Sequence, residues 1–135
     1  MKGIRVLAVD DERDFVETLV KRLKVRNLDA TGAWNGEDAL RILDKQEVDV
    51  VVLDVRMPGI NGEDTLREIK RRMPLIQVIL LTGHGSLESG IKGMKLGAFD
   101  YITKPADLDE LVQKIGLAYE KKSTHEEAVK GQTIA

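Results

Sequence analysis

The chain has 135 residues, room for one ordinary domain and no second large one. Apolar residues make up 42% of it, enough for a core that needs no staples, and cysteine is absent, which excludes a disulfide scaffold, thiolate metal sites and cysteine nucleophiles. Twenty-one Lys and Arg against 23 Asp and Glu leave a formal charge of −2, so the electrostatic footprint of a nucleic-acid binder is missing and direct contact with DNA or RNA is not expected.

The first apolar run, Ile4 to Val9, is short and breaks at an acidic cluster, so the N-terminus does not read as a signal peptide, and no segment reaches the length of a membrane span. A soluble cytoplasmic protein is the expectation. A helix-period stretch follows, with Phe15, Leu19 and Leu23 on one stripe and Val16 and Val20 beside it. A weak strand, Asp29 to Ala33, leads to Asn35 as N-cap of a helix that turns Ala39, Leu40 and Leu43 inward. The third run, Val48 to Val55, is interrupted only by Asp49, as a central strand buried on both faces requires. Met57-Pro58-Gly59 marks a tight turn before a helix from about Asn61 to Arg72, which Pro74 closes.

Ile76 to Leu81 forms the fourth strand and a short stretch near Asp100 to Thr103 the fifth. Between them, Ser86 to Leu96 carries the interior glycines Gly90 and Gly93, each costing a helix about 1 kcal/mol relative to alanine. Two readings follow: glycines that allow close packing, or a weak helix that can switch. The last helix follows Leu108, Leu111, Val112, Ile115 and Tyr119. The polar stretch after Lys122 has no periodicity and is expected to be disordered or a severed linker, which gives a domain over 1–122 and a tail over 123–135.

Strands alternating with helices call for a doubly wound parallel sheet with helices on both faces, and such sheets bind ligands at the carboxyl ends of their strands. Here the first strand ends in Asp10 and Asp11, the third in Asp54, the fourth in Thr82 and the fifth in Lys104. Any one of these has a bland structural explanation; the set does not. Three carboxylates in one place repel one another unless a cation sits between them, and hard oxygen donors without cysteine suit Mg²⁺, with Mn²⁺ as the alternative. Lys104 adds a point charge for a phosphate oxygen and Thr82 a hydroxyl donor, the parts needed for phosphoryl transfer onto a carboxylate nucleophile.

The segments VDDERDF, VVLDVRMPGINGEDTL, VILLTGHG and GAFDYITKP, in this order and spacing, resemble the motifs of response regulator receiver domains of two-component signalling, over about residues 4 to 120. The resemblance implies a flavodoxin-like fold, five strands in the order 2-1-3-4-5 with five helices. It implies that Asp54 is the phosphoacceptor, loaded by a sensor histidine kinase. Asp11 and Asp54 would ligate Mg²⁺ directly, Asp10 would help hold it, and the backbone carbonyl of Arg56 would complete the set. Lys104 would pair with the phosphoryl group, Thr82 would move to hydrogen-bond it, Tyr101 would be the switch aromatic, and Lys104-Pro105 would be a cis peptide. Small Gly83 would leave the phosphoryl group open to its donor. His84 reads first as a solvated loop histidine, and second, like the Arg56 side chain, as a modulator of water attack on the phosphorylated aspartate. His125 is assigned no role.

The family's usual output surface is the fourth helix, fifth strand and last helix, through which a homodimer is also possible. The chain reads as either a stand-alone regulator or a receiver cut from a longer protein, and the resemblance of RMPGING and TGHGS to receivers that precede ATPase-type transcription activators slightly favours the second. No enzyme beyond its own phosphoryl transfer and dephosphorylation is implied. Haloacid dehalogenase phosphatases carry Asp-x-Asp at the nucleophile, whereas Arg56 stands where the second Asp would be. A flavodoxin electron carrier would not place Asp10-Asp11-Glu12 against a flavin phosphate. A receiver-like binding module that is never phosphorylated is the remaining alternative.

Overall fold

The structure is a computed structural model and describes residues 3–55, 61–83 and 87–134. Strands and helices alternate along it: β1 (Arg5–Val9), α1 (Arg13–Val25), β2 (Asp29–Ala33), α2 (Gly36–Lys45), β3 (Val50–Asp54), α3 (Gly62–Arg72), β4 (Gln77–Thr82), α4 (Leu87–Lys95), β5 (Asp100–Thr103) and α5 (Leu108–Ile134). The five strands form one parallel sheet in the order β2-β1-β3-β4-β5. That is the expected doubly wound fold, and β1 and β3, adjacent at its centre, bring Asp10 and Asp54 to the same edge.

Alternation along the strands divides the core in two. Val6, Ala8, Val50, Val52, Ile79 and Leu81 pack with Val16, Leu19 and Leu23 of α1 and with Leu111, Ile115 and Ala118 of α5. On the other face Leu7, Val9, Val51, Leu53, Val78 and Leu80 meet Leu40 and Leu43 of α2 and Leu66 and Ile69 of α3. Every residue of β3 is buried, and each such aliphatic side chain contributes roughly 1.5–3 kcal/mol. Asparagine fixes two helix starts: Asn35 Oδ1 accepts from Asp38 N at 2.7 Å and Asn61 Oδ1 from Asp64 N at 2.9 Å. Asn35 is the cap the sequence led us to expect, while Asn61 caps α3 from outside instead of opening it.

The glycines of α4 serve close packing. A Cβ at Gly90 would lie 2.7 Å from the Tyr101 ring, and one at Gly93 would collide with the Leu80 side chain. With the Leu80 and Tyr101 side chains as they stand, the helix lies too close to β4 and β5 to admit a Cβ at either position.

The segment expected to be disordered beyond Lys122 is helical instead, a continuation of α5 to Ile134. Apolar periodicity does run out there, but Lys122 is buried at the foot of the sheet, with its Nζ 3.1 Å from Asp49 Oδ1 and 3.0 Å from Glu126 Oε1. An ion pair thus anchors the helix where a hydrophobic stripe would otherwise do so, and the Glu, Lys and Ala around it are good helix formers. The Met57-Pro58-Gly59 turn, Arg56 and His84 lie outside the described residues. No helix among the described residues is long and apolar enough to cross a membrane.

Candidate phosphoacceptor site

The strand ends bring the expected residues together. Asp54 closes β3, Asp10 and Asp11 follow β1 directly, Thr82 closes β4 with Gly83 after it, and Lys104 follows β5. Asp10 and Asp54 are buried at 1% and 6% exposure, whereas Asp11 is exposed, so the cluster opens to solvent on one side.

One carboxylate oxygen from each of Asp10, Asp11 and Asp54 can be chosen so that all three lie within 4.8 Å of one another. Local backbone holds part of this arrangement: Asp10 N donates to Ala33 O at 3.2 Å, and Asp10 Oδ1 accepts from Glu12 N at 3.0 Å. Lys104 crosses the sheet edge to reach it, anchored by its own N–H to Thr82 O at 2.8 Å. Its Nζ donates to Asp10 Oδ2 at 2.7 Å and stands 3.5 Å from Asp54 Oδ1. Burial pulls the Lys104 ammonium down, but the hydrogen bond to Asp10 and the charges of Asp54 and Asp10 outweigh it and raise it above the ordinary lysine value. Lys104 is therefore a fixed positive charge at neutral pH.

Three carboxylates against one ammonium leave these four groups with two surplus negative charges. A divalent cation on hard oxygen donors matches that deficit, and the Asp10, Asp11 and Asp54 oxygens fit one. Thr82 Oγ1 is fully buried and finds no hydrogen-bond partner among the described residues. A buried hydroxyl without a partner costs free energy, which favours any state that supplies it an acceptor. Tyr101 is half-buried, its ring against α4 at Gly90, and the Lys104-Pro105 peptide is cis as expected.

Three structural partners of the site were not legible as such. Phe15 reads as a core residue, yet its ring centroid lies 4.8 Å from Lys104 Nζ. Gly62 opens α3 directly against the backbone of Asp54 and Val55. Arg13 stacks on Trp34 at 4.7 Å, tying the start of α1 to the residue after β2.

Residues 6–116 match the response regulator receiver domain family, and the chain belongs to it. It is 40% identical over 114 residues to a putative NtrX-like response regulator of Rickettsia conorii, covering 83% of this chain and 24% of that protein. It is 39% identical over 111 residues to the DNA-binding transcriptional regulator NtrC of Escherichia coli, covering 82% of this chain and again 24% of the relative. The chain thus spans about a quarter of the length of these curated relatives. Among solved structures, a response regulator receiver domain protein of Clostridium thermocellum superposes with a TM-score of 0.85 at 35% identity, covering 92% of this chain and 98% of that one. NtrX of Brucella abortus gives a TM-score of 0.89 at 27% identity, covering 96% and 30%. The family is one of signal transduction, and the match separates this chain from the phosphatases and flavodoxins weighed above.

Proposed function

We propose that this chain is a phosphoacceptor switch: Asp54 accepts a phosphoryl group from the phosphohistidine of a sensor histidine kinase, and the acquired charge changes the surface made by α4, β5 and α5. The observation that carries this reading is the convergence of Asp10, Asp11 and Asp54 with Lys104, whose Nζ lies 2.7 Å from Asp10 and 3.5 Å from Asp54, together with a buried Thr82 hydroxyl that has no partner among the described residues.

In the transfer, an Asp54 carboxylate oxygen forms the new bond to phosphorus as the bond from phosphorus to the imidazole nitrogen breaks. Asp10, Asp11 and Asp54, with the backbone carbonyl of Arg56, would hold Mg²⁺, or Mn²⁺ in its place. Such an ion, when bound, supplies charge neutralisation for the transferred group. Lys104 meets a further phosphoryl oxygen with its fixed charge. The Thr82 hydroxyl gains a phosphoryl oxygen as acceptor, and its movement frees space into which the Tyr101 ring can turn. Gly83 keeps the approach open, while His84 and the Arg56 side chain are candidates for tuning hydrolysis.

We place the switching domain at residues 1–122, with the rest of α5 as its connection to an output that the receivers of ATPase-type activators suggest. Ile91 and Met94 of α4, both exposed, fit an output or homodimer surface. The setting is cytoplasmic, without membrane or direct nucleic-acid contact. A binding module that is never phosphorylated is the second reading.

Intact mass after incubation with acetyl phosphate decides between them. A labile gain of about 80 Da that needs Mg²⁺ and is lost in Asp54→Asn is the expected result for an aspartyl phosphate. No gain in a folded wild-type chain with several donors would favour the binding module.

The switch reading also requires α4 to open more readily than the rest. Its nine residues include two glycines, so its amides are expected to exchange faster than those of α5. Exchange as slow as in α5 would rule α4 out as the bistable element.

A further inference from the structure

We infer that Phe15 is a positioning residue for Lys104, its ring face holding the ammonium over the carboxylate cluster in a way that cation binding at Asp10 does not disturb. The inference rests on the phosphoacceptor reading of Asp54.

Phe15 is the third residue of α1, the helix that starts directly beyond the Asp10-Asp11 loop, and its half-buried ring is backed by the α1 and α5 side of the core. Lys104 Nζ lies 4.8 Å from the ring centroid, within the range of a cation–π contact. The side chain of Lys104 is 23% exposed, so the contact is partly desolvated.

The ammonium is otherwise directed by two carboxylates at unequal distance, 2.7 Å to Asp10 and 3.5 Å to Asp54. Both carboxylates belong to the cluster that fits a cation. A cation drawing on Asp10 competes with Lys104 for the same oxygens, and the stronger of the two ion pairs weakens in the state where Lys104 is needed. The ring is not a cation ligand and loses nothing then. Of the groups in direct contact with Lys104 Nζ among the described residues, the ring is the one outside the cation cluster, so its hold on the ammonium carries over into the cation-bound state. A leucine would fill the volume without offering a negative face.

The test uses the 135-residue chain with acetyl phosphate, so that no contact with a protein donor enters. Phe15→Leu is expected to slow phosphorylation about 5- to 30-fold, the factor equivalent to one partly desolvated cation–π contact. Phe15→Tyr and Phe15→Trp, which keep a ring face, restore the rate. Wild-type speed in folded Phe15→Leu, or equal slowing in Phe15→Tyr, would overturn the inference.

A second readout needs neither turnover nor a variant. The Lys104 ε-methylene protons should be shifted upfield by the ring current, and the shift should persist as Mg²⁺ is titrated in. Its disappearance on Mg²⁺ addition would overturn the inference. A wild-type chain that is never phosphorylated but keeps the ring-current shift with Mg²⁺ would sink the function and leave the positioning intact.

Discussion

Asp49→Ala is expected to destabilise the fold by about 3–5 kcal/mol, the usual cost of removing one partner from a buried ion pair. Asp49 precedes β3 at the edge of the sheet opposite Asp54 and is 2% exposed. Its Oδ2 accepts from Arg5 N at 2.8 Å and Arg5 Nε at 3.1 Å, and its Oδ1 from Arg5 Nη2 at 2.9 Å, with Lys122 Nζ 3.1 Å away. Alanine would leave Arg5 paired only with exposed Glu47 among these groups, and Lys122 buried with Glu126 alone. For a domain of this size the loss corresponds to a fall in Tm on the order of 10–20 °C. The clamp also ties the end of α5 to the sheet, so amide exchange beyond Lys122 should quicken in the variant. A cost below about 1 kcal/mol would reduce the cluster to ordinary surface pairing.

The same group sets a sign for acid unfolding. Burial pushes the Asp49 carboxyl up, but hydrogen bonds from Arg5 and Lys122 outweigh it and hold it below the ordinary aspartate value. A lowered folded-state pKa stabilises fully above the unfolded value of about 3.9 and is lost as pH falls through it toward the folded one. Asp49→Asn should therefore flatten the dependence of stability on pH below about pH 4.

The carboxylates of the site are legible in the sequence because Asp54 and the Asp10-Asp11 pair break apolar runs at the very positions where a parallel strand ends. Nothing in strand alternation asks for them. The sheet was legible for the same reason: β2 and β5 lie where composition put them, and the other strands shift by one or two residues. Val48 and Ile76 are buried beside strands without entering their ladders, which hydropathy cannot distinguish.

What stayed hidden is non-local. Lys122 looks like a solvated lysine until the sheet brings Asp49 beneath it from far upstream. Phe15 has the spacing of a core residue, and its polar neighbour Lys104 comes from the other end of the chain. The cis peptide at Lys104-Pro105 came from family resemblance, since an X-Pro pair carries no mark of its isomer.

Gly62 belongs with the hidden features and gives the sharper test of how the site is built. A Cβ there would fall 2.5 Å from Asp54 O, 2.6 Å from Val55 Cα and 2.7 Å from Val55 O. All three are backbone atoms, so no side chain can swing aside, whereas the clash at Gly90 is with the Tyr101 ring. Gly62 N also donates to Val55 O at 3.2 Å, which fixes the start of α3 against the end of β3. Gly62→Ala must therefore push α3 and the Asp54 peptide apart or break that bond. Overpacking against backbone costs about 1–3 kcal/mol or more, exceeding the roughly 1 kcal/mol that alanine gains in helix propensity at best. The displaced atoms belong to the backbone of Asp54, the proposed phosphoacceptor, so phosphorylation should slow together with the loss of stability. At Gly90 alanine should cost stability while leaving the Asp54 backbone in place. Wild-type stability and phosphorylation rate in Gly62→Ala would mean that the contact between α3 and β3 does not set the position of Asp54, and that the carboxylate is held by its side-chain partners alone.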